Sequence, residues 1–341
     1  MMERKLASIQ LIDKIEPIPG ADAIDVATVL GWKVVVRKND FEPGDMCVYV
    51  EVDSVLPERE EFEFLRKGCW VDKHGFKGFR IRTVRLLKQL SQGICFPTSI
   101  LPGVELYRVG DDVTDVIGIV KYDPPLPAQL HGKVKRRFPG TVRKTDEFRV
   151  QSYPDVIEEF DSELVYVSTK VDGTSGTFIN YDGETDVCSR NLSLIEDYDN
   201  SFWQVFRKYE MNRIFEKCPN IAIQGEVAGP GIQKNPLGLK EIDLFVFQVY
   251  DIKAGKYLDY NDFIEFCDEH KLRTVPIERE NVKFDWDLPE LLEMAKGHYD
   301  LGKDKEGIVI RPMVEKYSNV LGGRLSIKVL NNDMLLEKDG D

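Results

Sequence analysis

The sequence predicts an α+β protein in two parts: an N-terminal OB-like β-barrel, then a larger domain of antiparallel sheets flanked by helices. Three observations carry this. At 341 residues the chain exceeds what one hydrophobic core usually supports. Its first third reads as short strands separated by turns. The remainder alternates strand patterns with amphipathic helical ones.

In chain order, "IDVATVLGWKVVVRK" alternates or runs in β-branched residues, and "MCVYVEVDSVLP" does the same after the turn "FEPGD". "GFRIRTVRLLKQLSQGICFP" adds two strands around a polar break. Five or so strands suit an OB barrel over residues 1–120, with an SH3-like barrel or small sandwich as the competing form. Trp32 stands among Lys33, Arg37 and Lys38 and reads as core. "YDPPLPAQLHGKVKRRFPGT" is rich in proline and glycine, then basic, which marks a linker over residues 121–144.

From residue 145 to 341, "ELVYVSTKV", "GTFINYD" and "DVCSRN" read as a strand meander, with Lys170 where a strand turns back. "NSFWQVFRKYEMNRIFEKC" has apolar residues at helical spacing and predicts one amphipathic helix. "IAIQGEVA" and "DLFVFQVYDI" return to strand. "YNDFIEFCDEHKL" and "LPELLEMAKG" are helical, the first starting near Tyr260 or Asn261. "EGIVIRP" and "LSIKVL" close the chain as buried strands.

Composition narrows the function. Hydrophobic residues make up 42% and no apolar run reaches the length of a membrane span, so no membrane partner is expected. The N-terminus lacks the apolar stretch of a signal peptide, which points to a cytoplasmic or nuclear protein. Six cysteines are scattered singly, without ligand-like spacing to the four histidines, so any metal must be a hard ion held by oxygens. A net charge of −13 confines nucleic-acid contacts to local basic patches. One such patch holds Lys133, Lys135, Arg136, Arg137, Arg143, Lys144 and Arg149, and it reads either as a solvated loop or as a phosphate track.

Several strand ends carry reactive groups. Lys170 offers an amine, with Asp172 two residues on. Lys-x-Asp-Gly alone arises by chance in roughly one chain of this length in ten. Glu226 and Glu306 each adjoin an apolar strand and a glycine, and Lys328 lies inside one, where a lysine carries a desolvation cost unless it faces a site. Arg149 and Arg190 add cations. Such a set fits covalent nucleotide transfer: an amine for the α-phosphorus, carboxylates for a hydrated metal, and cations for phosphate. Taken singly, each acid also fits a turn or a sheet edge, and Lys328 an edge guard.

In order, "KVDG" at 170–173, "SRN" at 189–191, "GEVAGPGIQKN" at 225–235, "VYDI" at 249–252, "EGIVIRP" at 306–312 and "SIKVL" at 326–330 resemble the successive motifs of covalent nucleotidyltransferases. "GPGIQKN" and "KTDEFRVQ" are similar to elements of nick-sealing RNA ligases. "PIPGADAIDVATVLGWKVVVRK", "VYVEVDSVLP" and "LSQGICFP" resemble the N-terminal OB module of one branch of ATP-dependent RNA ligases. The second domain would then be an adenylyltransferase, an ATP-grasp-like nucleotidyltransferase.

The resemblance implies that Lys170 takes AMP from ATP, passes it to an RNA 5′-phosphate, and that a 3′-hydroxyl then displaces AMP. It implies ATP and Mg²⁺ or Mn²⁺ as cofactors, RNA ends in a duplex nick as partner, and a monomer. Asp172, Glu226 and Glu306 match metal-holding positions, through water, and Lys328 matches the lysine that contacts the α-phosphate. Arg149, Gln151, Thr169, Gly173 and Arg190 fall in the cofactor pocket. Tyr250 is the expected adenine stacker, with Val309 on the other face and Phe247 as the alternative. One departure is Leu330, where relatives carry a second lysine; Arg324, Lys240 or Lys234 are candidates to supply its charge. The rivals are a capping-type guanylyltransferase, a DNA ligase, and a non-catalytic OB-containing RNA-binding protein.

Overall fold

The computed structural model describes residues 5–73, 75–122, 133–331 and 334. Two compact units divide the chain, one up to residue 122 and one from residue 133 among the described residues. The stretch 123–132 of the expected linker lies outside the described residues. Its later part is built into the second unit, because Val134–Arg137 pairs as an edge strand with Leu192–Leu194.

The N-terminal unit is an OB-type barrel, made of twelve short strands among the described residues. Tight turns divide the five or so long segments expected. Val29 and Trp32 face each other across a two-residue turn in which Leu30 and Gly31 have φ of 49° and 75°, the twist that suits a hairpin. Ile9, Val48, Val50, Leu56, Phe62, Phe79 and Ile117 fill the barrel. Trp32 is 2% exposed, so it belongs to the interior as expected.

The second unit holds two larger sheets. Seven strands run in the order Val134–Arg137, Leu192–Leu194, Glu184–Cys188, Thr174–Tyr181, Ile221–Ala228, Asp243–Asp251 and Lys256–Tyr257. Five run in the order Phe148–Arg149, Ile327–Leu330, Gly307–Pro312, Leu164–Thr169 and Ile277–Lys283. All pairs are antiparallel except Phe148–Arg149 with Ile327–Leu330. Leu164–Thr169 and Thr174–Tyr181 are therefore not a hairpin, as the meander reading had it. The chain leaves one sheet at Thr169 and enters the other at Thr174, and Lys170–Gly173 is the crossing.

Helices cover the outer face of the seven-stranded sheet, where Val205, Phe206, Met211, Ile214 and Phe215 pack on Ile223, Val227, Val246 and Val249. The single helix expected at 200–218 is two, Ser201–Lys208 and Met211–Lys217, broken at Glu210 with φ of 48°. The break is pinned where Tyr209 Oη and Lys208 Nζ both donate to Asp243, at 2.7 and 3.0 Å. Asn200 caps the first helix through the N–H groups of Phe202 and Trp203.

Inner faces of the two sheets are tied by buried polar groups. Arg311, 2% exposed, donates to Glu147 at 2.7 Å, to Ser326 at 3.0 Å and to the Phe247 carbonyl at 3.0 Å. Burial works against the Glu147 carboxylate, yet Arg311 and Arg324 hold it below the usual carboxylate range. Removing one partner of such a pair strands a buried charge. Glu147→Ala is therefore expected to cost about 3–5 kcal/mol in urea unfolding; an unchanged midpoint would show that Arg311 finds another counter-charge.

Candidate active site

The crossing at Lys170–Gly173 places its side chains where both sheets meet. Lys170 N–H donates to the Gly307 carbonyl at 2.8 Å, and Lys170 Nζ donates to Glu306 Oε2 at 2.6 Å. Glu306 owes its place to the residue after it: Gly307 has φ of 141°, and a Cβ there would lie 2.0 Å from the Val329 carbonyl oxygen. Asp172 is 4% exposed. Glu226 comes from Ile221–Ala228, opposite Ser175 in register, and accepts from the Gly173 N–H. A Cβ on Gly173 would lie 2.4 Å from the Val227 carbonyl oxygen and 2.9 Å from Glu226 Cγ, so only glycine lets the crossing run this close to the Glu226 strand.

These groups set one another's charge. Burial disfavours the Lys170 ammonium, but Glu306, Glu226 and Asp172 together hold its pKa above the ordinary lysine value. Burial, with Glu306 and Asp172, pushes Glu226 up to about 8 against the pull of Lys170. The protein alone thus keeps the amine protonated, and the cations required to free it are those that neutralise the three carboxylates. Among the described residues no cluster of three His, Cys, Asp or Glu side chains is drawn together to bind a metal ion directly. Three acids around one amine, one of them held mostly protonated at neutral pH, suit an ion that arrives with its own waters.

On the other side lies a cationic edge. Lys328 pairs with Val309 across one neighbouring strand and with Arg149 across the other. Burial, Arg149 and Lys170 push Lys328 down to about 7. Arg149 is therefore the cation beside Lys328 in the region where Leu330 stands for a lysine. Arg324 is committed to Glu315 at 2.7 Å and to Gln248, and Lys240 is exposed on a loop.

The segment 143–149 bridges the two sheets, residue by residue. The Arg143 carbonyl accepts from Gln224, Lys144 donates to Asn191, and Thr145 bonds Ser175. Asp146 accepts from Arg190 at 2.6 Å and Glu147 from Arg311, before Phe148–Arg149 joins the five-stranded sheet. Arg190 is thus an exposed rim residue. Gln151 follows, 0% exposed, with neither amide atom hydrogen-bonded. A fully buried amide in that state fits a group that meets a ligand.

The aromatic candidates separate. Phe247 packs with Val171, next to the lysine, while Tyr250 sits edge-on against Tyr257 at 4.9 Å, in a cluster with Val142, Ile179, Cys188 and Ala222. Phe247 thus shares its cluster with Val171, the residue after the lysine, and Tyr250 does not. Val309 lies between Ser168 and Lys328 in register. Thr169 does not offer its hydroxyl to this centre: it donates to Glu278 at 2.8 Å, and its N–H donates to the Pro276 carbonyl.

Glu278 also carries a charge partner that the sequence did not signal. Lys305, 6% exposed, donates to both Glu278 oxygens at 2.7 Å. Arg311 had a legible signal, a cation inside the apolar run "GIVIRP". Glu278 and Tyr299, whose hydroxyl touches the main chain of the crossing, had none.

Both units of the chain are similar to known proteins. A family model described as RNA ligase matches residues 163–330, and one described as an OB-fold domain matches residues 6–98. No curated protein matches the sequence. Among solved structures, Naegleria gruberi RNA ligase with PPi is similar at 34% identity and TM-score 0.81, over 98% of this chain and 99% of that one. A lysine-to-methionine mutant of that ligase, with AMP and Mn, gives 34% and 0.82 over 98% and 99%. A lysine-to-alanine mutant with ATP and Mn gives 34% and 0.81 over the same shares.

The depressed Lys328 pKa makes a signed prediction. Between about 7 and the unfolded value of 10.5 the unfolded chain binds a proton that the folded chain does not, so this lysine's cost is full below pH 7 and fades as pH rises. Lys328→Met is expected to stabilise the fold at pH 7 by on the order of a few kcal/mol, a gain that shrinks steadily toward pH 9.5 in thermal melts. A gain independent of pH would mean that Lys328 is charged throughout.

Proposed function

The chain belongs to the RNA ligase family, as an ATP-dependent ligase that uses a divalent metal, and on that premise we propose that it seals 3′-hydroxyl/5′-phosphate RNA ends at nicks. One observation carries the mechanism: Lys170, on the crossing between two sheets, lies within 2.6 Å of Glu306 and feels Asp172 and Glu226 as well.

In the first step the neutral Lys170 amine attacks the ATP α-phosphorus. The bond to pyrophosphate breaks, and the amine's proton leaves as the phosphoramidate to AMP forms. Lys328 and Arg149 neutralise the phosphates from the five-stranded sheet. The carboxylates of Asp172, Glu226 and Glu306 would hold a hydrated divalent metal, whose charge would offset that of the phosphates and favour the free amine. Phe247 and Val309 grip the adenine, with Gln151 at the pocket's wall. In the second step an oxygen of the RNA 5′-phosphate attacks the AMP phosphorus, and Lys170 departs. In the third the 3′-hydroxyl attacks the activated 5′-phosphorus, closes the phosphodiester and releases AMP.

RNA needs cations, and the basic stretch at 133–149 offers fewer than its sequence promised. Lys133 is bound to Asp197, Arg136 to Asp186 and Lys144 to Asn191. A second source lies in the barrel. No acid occurs between Asp72 and Glu105, while Lys73, Lys77, Arg80, Arg82, Arg85 and Lys88 do. Arg82, Arg85 and Lys88 are exposed around the hairpin Thr83–Leu86/Gln89–Gln92. This hairpin supports the reading that the barrel touches the RNA backbone.

Two measurements test the proposal. Incubation with each α-labelled nucleoside triphosphate is expected to label the protein from ATP alone, and matched nicks are expected to close when the 3′-hydroxyl end is RNA. Labelling from GTP instead would replace the ligase reading with guanylyl transfer. Replacing Arg82 and Lys88 by alanine is expected to lower the slope of log affinity for nicked RNA against log salt by about 1.5–2; an unchanged slope would remove the hairpin from the RNA contact.

A further inference from the structure

Tyr299 is presented to the crossing by a short loop. Its N–H donates to the Lys303 carbonyl at 2.7 Å, and its own carbonyl accepts from Gly302 at 2.8 Å. The loop is closed at its base by Lys305 N–H to the Gly297 carbonyl at 2.9 Å, and by His298 against Asp304 at 3.0 Å. Lys305, the next residue outward, is fixed by both oxygens of Glu278. These bonds hold the main chain that carries the ring.

Its hydroxyl makes three bonds. Tyr299 Oη donates to the Lys170 carbonyl at 2.9 Å, and accepts from Asp172 N–H at 3.0 Å and from Glu306 N–H at 3.2 Å. A phenol has one proton and two acceptor sites, so its capacity is filled. The three main-chain groups belong to the amine-bearing residue and to two of the three carboxylate residues. Resting on the adenylyl-transfer reading above, we infer that Tyr299 is a positioning residue, whose single oxygen keeps Lys170, Asp172 and Glu306 in a fixed mutual arrangement for the lysine–AMP step.

Tyr299 does not reach the reacting atoms through this oxygen, because all its bonds go to main chain. The crossing is also tied to the Glu306 segment by Lys170 N–H to the Gly307 carbonyl and by the Lys170–Glu306 ion pair. Without the hydroxyl, two N–H groups and one C=O lose their partner together, and the amine and the carboxylates are free to shift against one another. Displacements on the scale of 1 Å cost about 10²-fold in rate.

The test is single-turnover formation of the lysyl-adenylate from labelled ATP in the full chain. Tyr299→Phe is expected to slow this step 30- to 100-fold at saturating ATP, following that order of magnitude. The KM for ATP is expected to stay within about threefold, since the bonds of the Tyr299 hydroxyl go to main chain. A folded Phe variant that forms the adenylate within about twofold of the native rate overturns the inference, as does a loss carried wholly by KM. Should the Phe variant not fold, 4-aminophenylalanine at position 299 keeps the ring and a donor for the Lys170 carbonyl but offers the two N–H groups a poor acceptor. Its adenylylation rate is expected to fall at least tenfold at saturating ATP, and a rate within about twofold of the native chain overturns the inference. A native chain that forms no lysyl-adenylate at all would instead defeat the ligase reading.

Discussion

The site depends on four residues, Lys170–Gly173, that carry the chain out of one sheet and into another. A lysine in a hairpin would face one sheet and one set of neighbours. On a crossing it meets Glu306 from the five-stranded sheet and Glu226 from the seven-stranded one. The passage is narrow. Gly173 is there because the Glu226 strand leaves no room for a side chain, and Gly307 because Val329 leaves none behind Glu306. The ion pair between Lys170 and Glu306 is thus the product of two backbone approaches that only glycine permits.

Electrostatic tension at this centre has a chemical use. Three carboxylates around one amine favour the ammonium, which cannot attack phosphorus. The same carboxylates are what a hydrated divalent ion would neutralise. In the proposed reaction the two needs are one: the charge that relieves the acids would release the Lys170 amine. Opposite them, Lys328 is held near neutrality by burial and by Arg149, and the phosphates of a nucleotide are the counter-charge that would restore it. Both sides of the cleft are strained in a sense that the ligand's own charges relax.

Much of this was legible because the chemistry demands residue types that are costly elsewhere. A lysine inside "SIKVL" and acids beside glycine at strand ends stand out against apolar surroundings. Their order along the chain identified the family. What the sequence could not reveal was which strand pairs with which. It could not show that Leu164–Thr169 and Thr174–Tyr181 belong to different sheets, nor that Glu210 breaks a helix whose apolar spacing runs on without interruption. Nor could spacing choose between Phe247 and Tyr250, since a bulge between Gln224 and Gly225 shifts the facing strand's register and only pairing shows it. Tyr299 was invisible for a plainer reason: an aromatic in a polar loop has no periodicity, and its role lies in main-chain bonds to residues as far as 129 positions away.

The central claim is that AMP is carried on Lys170 and on no other lysine, with Lys328 as the charge beside it. Peptide mapping by mass spectrometry, after incubation with ATP and a divalent metal, reads this directly. The account predicts AMP on the peptide containing Lys170 and none on the peptide containing Lys328. Modification at Lys328, or on a lysine outside the crossing, would contradict it.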